Sequence, residues 1–188
     1  MVGFVSYAGS RAKILLDGSY TPSSVTVSLN GTTPVAIPGS WLRINGAVIA
    51  SAGSSRVNAG DVVIRVAGGG SIISTIPAGM GIQRQAIYTV PAGHTLAIRR
   101  FLLSINRTSG TTINGHIDYR IRLANGTTLF PAGLGVSSIV DTDSISRPCL
   151  PIAEKTDIFL RIQALSESNV NLTAGFTGFL VDNAILAP

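Results

Sequence analysis

Apolar and polar residues alternate with period two along most of the chain. Residues 25–29 set Val25, Val27 and Leu29 against Thr26 and Ser28, and residues 62–66 set Val62, Ile64 and Val66 against Val63 and Arg65. The clearest run is 116–123, where Ile117, Tyr119, Ile121 and Leu123 alternate with His116, Asp118, Arg120 and Arg122. Residues 158–164 repeat it with Ile158, Leu160 and Ile162 against Arg161 and Gln163. Such a pattern sends one set of side chains into a core and the other toward solvent or a partner. Further on, Ala174, Phe176 and Leu180 alternate with Thr173, Thr177, Phe179 and Val181. Both of those sets are apolar or small, which predicts a strand covered on both faces.

Turn chemistry separates these strands. Asn30-Gly31, Asn45-Gly46, Asn114-Gly115 and Asn125-Gly126 are dipeptides that accept positive φ in a tight hairpin. Pro-Ala-Gly recurs at 77–79, 91–93 and 131–133, each time after an apolar anchor. There proline sets φ for the first turn position and glycine reverses the chain. The best helical candidate is one poor turn around residues 134–140, so the predicted class is all-β. Many evenly spaced strands favour an antiparallel sandwich. The glycine-rich segment 68–71 predicts a linker between a small β module at 1–67 and a larger sandwich at 72–188. The alternative is a single domain with a glycine-rich hairpin at that point.

Composition narrows the class further. The chain has 188 residues, of which 45% are apolar and only 12% charged, about half the usual charged share. That balance excludes a disordered chain, and no run approaches the roughly 20 apolar residues of a spanning helix. With Cys149 as the one cysteine there is no disulfide scaffold within the chain. The first residues lack a secretory signal pattern, since Gly3, Ser6 and Tyr7 interrupt any apolar core and Arg11 follows, so synthesis without secretion is expected. The net charge is +5, and twelve of the fourteen basic residues are arginine. Residues 95–130 carry five basic side chains and one acidic, whereas 131–188 carry three basic and six acidic. No basic run interleaved with aromatics marks a nucleic-acid surface.

Catalytic patterns are missing. His94 and His116 stand in different contexts and read as ordinary surface histidines. Asp141 and Asp143 would offer hard oxygen ligands, but the further ligands and glycine of a calcium loop are absent, so the segment reads as polar. Gly133-Leu-Gly135 lacks the helix of a dinucleotide fingerprint, and no Gly-x-Ser-x-Gly elbow occurs. Cys149, in Pro148-Cys-Leu-Pro151, has apolar neighbours and reads as a packed, inert thiol. No catalytic residue, cofactor site or metal site is expected.

The polar faces of the basic strands stand out instead. Alternation slips at Arg99 and Arg100, between Leu96 and Ile98 before and Phe101, Leu103 and Ile105 after. A β-bulge produces such a slip. Arg107, Arg120 and Arg122 are expected to join Arg99 and Arg100 on one face. Opposite them would stand the acidic segment carrying Asp141, Asp143, Glu154, Asp157 and Glu167. Two or three copies would then set the basic face of one protomer against the acidic edge of the next. The alternative is that these charges only solubilise the surface.

The stretch Ser74-Thr-Ile-Pro-Ala-Gly-Met-Gly-Ile-Gln-Arg-Gln-Ala-Ile-Tyr-Thr-Val-Pro-Ala-Gly93 resembles virion structural proteins of tailed bacteriophages. So do the segments 148–161 and 174–183, and the likeness covers about 110 residues, essentially all of the larger module. Upstream, Trp41-Leu-Arg-Ile-Asn-Gly46 and Val57-Asn-Ala-Gly-Asp-Val-Val-Ile-Arg65 resemble the closing strands of an immunoglobulin-like module. The resemblance implies a jelly-roll-like sandwich preceded by that module, assembled in the host cytoplasm and exposed on the capsid exterior. It further implies a non-enzymatic capsid decoration or cement protein, a homotrimer whose partner is the major capsid protein, with no membrane or specific nucleic-acid partner. The alternative is a tail or head-fibre component that binds a carbohydrate or receptor on the host. A polysaccharide depolymerase is disfavoured, because no paired carboxylates mark a cleft.

Overall fold

The computed structural model describes residues 2–5, 10–52, 57–83, 85, 87–106, 114–137, 141–165 and 171–186. Among these the regular secondary structure is almost all strand, every strand pair is antiparallel, and two compact units form, Met1–Gln85 and Ala86–Pro188. The all-β class read from alternation is the class found.

The first unit contains β1 (Val2–Val5), β2 (Ser10–Leu16), β3 (Pro22–Val27), β4 (Val35–Ala36), β5 (Arg43–Ile44), β6 (Ala47–Val48), β7 (Val62–Val66) and β8 (Ile72–Ile76). One sheet runs β4-β1-β7-β8, and the other runs β3-β2-β5 with β6 also on β2. Between them lies a core of Leu15, Val27, Leu29, Ile37, Ile44, Val62, Ile64 and Ile76. Val27, Leu29, Val62 and Ile64 occupy the buried positions their alternation predicts. Val66, the last residue of β7, keeps the same phase against β1 but is exposed.

The expected linker at 68–71 is instead a hairpin turn inside this unit. Val66 N–H donates to the Ser71 carbonyl at 3.0 Å and Gly70 N–H to the Val66 carbonyl at 3.1 Å. Gly68 and Gly69 take φ of 76° and 83°, which glycine adopts without steric cost. The boundary between units therefore falls at Gln85/Ala86, and β8 belongs to the first.

The second unit contains β9 (Ile87–Thr89), β10 (His94–Asn106), β11 (Asn114–Arg122), β12 (Thr128–Ser137), β13 (Asp141–Ile152), β14 (Asp157–Leu165), β15 (Asn171–Asp182) and the short helix α1 (Asn183–Leu186). Its sheets run β13-β10-β15 and β12-β11-β14-β9. Leu96, Ile98 and Phe101 from the first sheet meet Tyr119, Ile121 and Ile158 from the second, so the unit is a sandwich. The Phe101 and Tyr119 rings lie 3.9 Å apart between centroids, tilted by 50°. Along β11 the inward and outward sets are those predicted. Ile162 keeps the phase expected of it, as the Cα partner of buried Ile117, but is left exposed near the end of β14.

Two of the four Asn-Gly pairs make turns. Asn30-Gly31 and Asn125-Gly126 do, with glycine φ of 52° and 86°. Asn45-Gly46 sits between β5 and β6, which pair with β2 in one continuous register, and Asn114-Gly115 opens β11. Pro77-Ala-Gly79 and Pro91-Ala-Gly93 are turns, but Pro131-Ala-Gly133 lies within β12. That strand is at a sheet edge, and its register against β11 shifts between Tyr119 and Ile121, where a missing N–H is tolerated. Residues 134–137, expected as a helical turn, continue β12; 138–140 lie outside the described residues.

Candidate functional site

The bulge predicted on β10 is present. Both neighbours of β10 shift register between Ile98 and Arg100, and against β15 Arg99 is the extra residue. Arg99 and Arg100 are both exposed, while Ile98 and Phe101 remain buried. On β13 the same irregularity takes residues 146–149 out of the ladder between Leu150 and Ile145. Cys149 lies in that stretch and is exposed rather than packed.

The single basic face is not found. Arg99 and Arg100 lie on β10, whereas Arg120 and Arg122 lie on β11 in the other sheet of the sandwich. Alternation turns each set outward from the shared core, and so toward opposite faces. Asp141 and Asp143 are in Cα register with Ser104 and Leu102, on the strand beside Arg99 and Arg100 rather than opposite them. Glu154 occupies the turn before β14, where it accepts the Gly93 N–H at 2.5 Å and stands 3.8 Å from Lys155. Arg107 and Glu167 lie outside the described residues.

Arg120 and Arg122 are engaged within their own sheet. Asp157, buried at the start of β14, accepts Arg122 Nε at 2.9 Å, Arg122 Nη2 at 2.5 Å and the Thr89 hydroxyl at 2.6 Å. That carboxylate therefore ties β9, β11 and β14 together. The Arg122 guanidinium also lies over the Phe159 ring, 5.8 Å from its centroid. Further along the same outer face, Asp118 accepts from His116 Nε2 at 3.1 Å, Arg120 Nη2 at 3.4 Å and the Gln163 amide. Partial desolvation pushes the Asp118 carboxyl up. The Gln163, Arg120 and His116 donors outweigh that and hold it below the ordinary carboxylate value.

Backbone shape makes room for this cluster. Gly133 of β12 pairs with Asp118, and a β-carbon there would come within 2.7 Å of His116 Nε2. The imidazole thus lies across a position only glycine leaves open. His94 starts β10 in the other sheet, its Nδ1 2.9 Å from the Ala92 carbonyl, so the two histidines are not brought together. Among the described residues, no three His, Cys, Asp or Glu side chains form a group able to hold a metal.

Sequence reading missed Asn58 in the first unit. Its buried amide donates to the carbonyls of Gly60 at 2.8 Å, Ile76 at 3.1 Å and Pro77 at 2.8 Å, and its Oδ1 accepts the Gly81 N–H at 3.0 Å. One side chain thereby fixes the Pro77-Ala-Gly79 turn. Nothing in an isolated asparagine signals this, because its partners are backbone groups up to 23 residues away.

Large apolar side chains remain on the surface. Leu102, Phe179 and Leu180 in the β10–β15 sheet are exposed, as are Ile162 and Leu165 on β14 and Ile72, Ile73 and Ile82 in the first unit. The coverage of both faces predicted for β15 is therefore lacking at Phe179 and Leu180.

No family model, curated protein or solved structure matches the chain.

Proposed function

We propose that this chain is a non-enzymatic structural protein of a tailed-phage particle, a decoration or cement protein that bridges and stabilises major capsid subunits and associates with itself. The observation that carries the reading is how the surface is divided. The carboxylates Asp118 and Asp157 are held by side chains of their own sheet, whereas isoleucine, leucine and phenylalanine side chains in both units are left toward solvent. Where such side chains lie together, they offer apolar area that contact with another protein would bury. Exposed Arg99 and Arg100 fit the rim of such a contact, where arginine is favoured over lysine. The sequence resemblance supports a partner on a virus shell.

The test is mechanical. Particles assembled without this chain are expected to release DNA at a lower temperature than complete particles, and adding back the purified chain is expected to restore resistance. Unchanged heat resistance, together with loss of adsorption to host cells, contradicts the cement role and supports the fibre alternative.

A further inference from the structure

We infer that two copies of this chain join through β15, edge to edge and antiparallel about Thr177, into one continuous sheet. Among the described residues β15 pairs on one side only, with β10, so a backbone edge of 12 residues is left along its other side. The other long edges of this unit carry guards. β13 contains Pro148, Pro151, Asp141, Asp143 and Arg147, and β12 contains Pro131. Proline removes a ladder donor, and charge opposes the addition of another strand. β15 has neither before Asp182 at its last position, and the bulge beside it belongs to β10.

Two neighbouring side chains indicate what covers this edge. Phe179 and Leu180 point to opposite faces of the sheet, and both are exposed, by 58% and 42%. A partner docked on either face covers one of them. A strand laid alongside covers both.

The order of residues along β15 selects a second copy. In a two-fold antiparallel pair about Thr177, residues equally far from it on either side stand directly opposite each other. Phe176 then meets Gly178, Phe179 meets Gly175, Leu180 meets Ala174 and Val181 meets Thr173. Each larger side chain stands beside a smaller one, and an aromatic ring beside glycine fills the gap glycine leaves in a sheet. A β-carbon on Gly175 would meet nothing within 4 Å, so the place for the second copy's Phe179 ring is open. Asp182 falls opposite Leu172, and no like charges meet. This inference deepens the self-association in the proposed function and makes its symmetry two-fold rather than the three-fold the resemblance implies.

Sedimentation equilibrium of the purified full chain tests it. The wild type is expected to be a dimer. Gly175→Phe, whose β-carbon meets nothing within 4 Å in the single chain, sets bulk against bulk in the pair and is expected to weaken dimerisation by at least about tenfold. The double variant Gly175→Phe/Phe179→Gly exchanges large and small positions and is expected to restore the dimer. Circular dichroism reports folding. Should Gly175→Phe not fold, Thr177→Glu at an exposed position sets two carboxylates opposite each other and is expected to weaken the dimer equally. A monomeric or trimeric wild type, a dimer indifferent to these single variants, or a double variant that stays dissociated overturns the inference. The assay uses no virus particle, so its failure is distinct from failure of the heat-release test.

Discussion

Arg122→Ala removes the guanidinium that caps a buried carboxylate, and the cost can be worked from the contacts. The Asp157 side chain is 4% exposed and holds Arg122 through two nitrogens at 2.9 and 2.5 Å, with the Thr89 hydroxyl on its other oxygen. Removing one partner of a fully buried ion pair costs roughly 3–5 kcal/mol. The arginine is 42% exposed, so solvent screening lowers the expected loss to about 2–3 kcal/mol. Asp157→Asn keeps the volume and an acceptor for Thr89 and is expected to cost about 1–2 kcal/mol. Since the two residues share one interaction, the double variant is expected to lose less than the sum of the singles, by about 1–2 kcal/mol. Urea unfolding followed by circular dichroism measures these values, at one fixed protein concentration because self-association adds to apparent stability. If Arg122→Ala leaves stability within about 0.5 kcal/mol of wild type and instead weakens docking or dimerisation, the guanidinium serves a partner and the reasoning fails.

Other consequences follow from single groups. The Tyr119 hydroxyl is buried and reaches no hydrogen-bond partner among the described residues, so Tyr119→Phe is expected to stabilise the chain by about 1 kcal/mol in thermal unfolding. Burial pushes the Tyr119 phenol up. Its contribution is therefore intact below about pH 10 and lost as pH rises further, and Tyr119→Phe is expected to flatten that alkaline loss. Asn58→Ala is expected to cost about 2–3 kcal/mol in denaturant unfolding, and Asn58→Asp more at neutral pH, because a carboxylate cannot donate to the Ile76 and Pro77 carbonyls. The Asp118 carboxyl lies below its ordinary value, so its contribution is present above the unfolded carboxylate pKa, about 4, and is lost as pH falls through the lower folded value. Asp118→Asn is expected to reduce the acid slope of stability, and an unchanged slope would show that the cluster does not stabilise the fold.

What was legible in the chain was whatever depends on period two. The inward set Ile117, Tyr119 and Ile121 and the bulge at Arg99 were both readable, because one phase slip in a strand moves every later side chain to the other face. Pairing between strands was not readable. That left Arg120 and Arg122 grouped with Arg99 and Arg100, although β10 and β11 enter different sheets. Local composition also misled at 68–71, since glycines that suit a linker suit a hairpin equally well, and only the β7–β8 ladder separates the two. Cys149 was misplaced for a related reason, as the register shift against β10 breaks the ladder there, whereas Ile162 keeps its phase opposite Ile117 but is not covered. The buried carboxylate Asp157 gave no warning of its role, because Thr89 lies 68 residues away on another strand.

The most direct test of the structural role is the amount of this chain in purified particles, read by densitometry of a stained gel against the major capsid protein. A cement protein is expected in fixed, high proportion to the capsid subunit, and is expected to be lost with the shell when heads and tails are separated. A few copies per particle travelling with the tail, or none in the particle, contradicts the account.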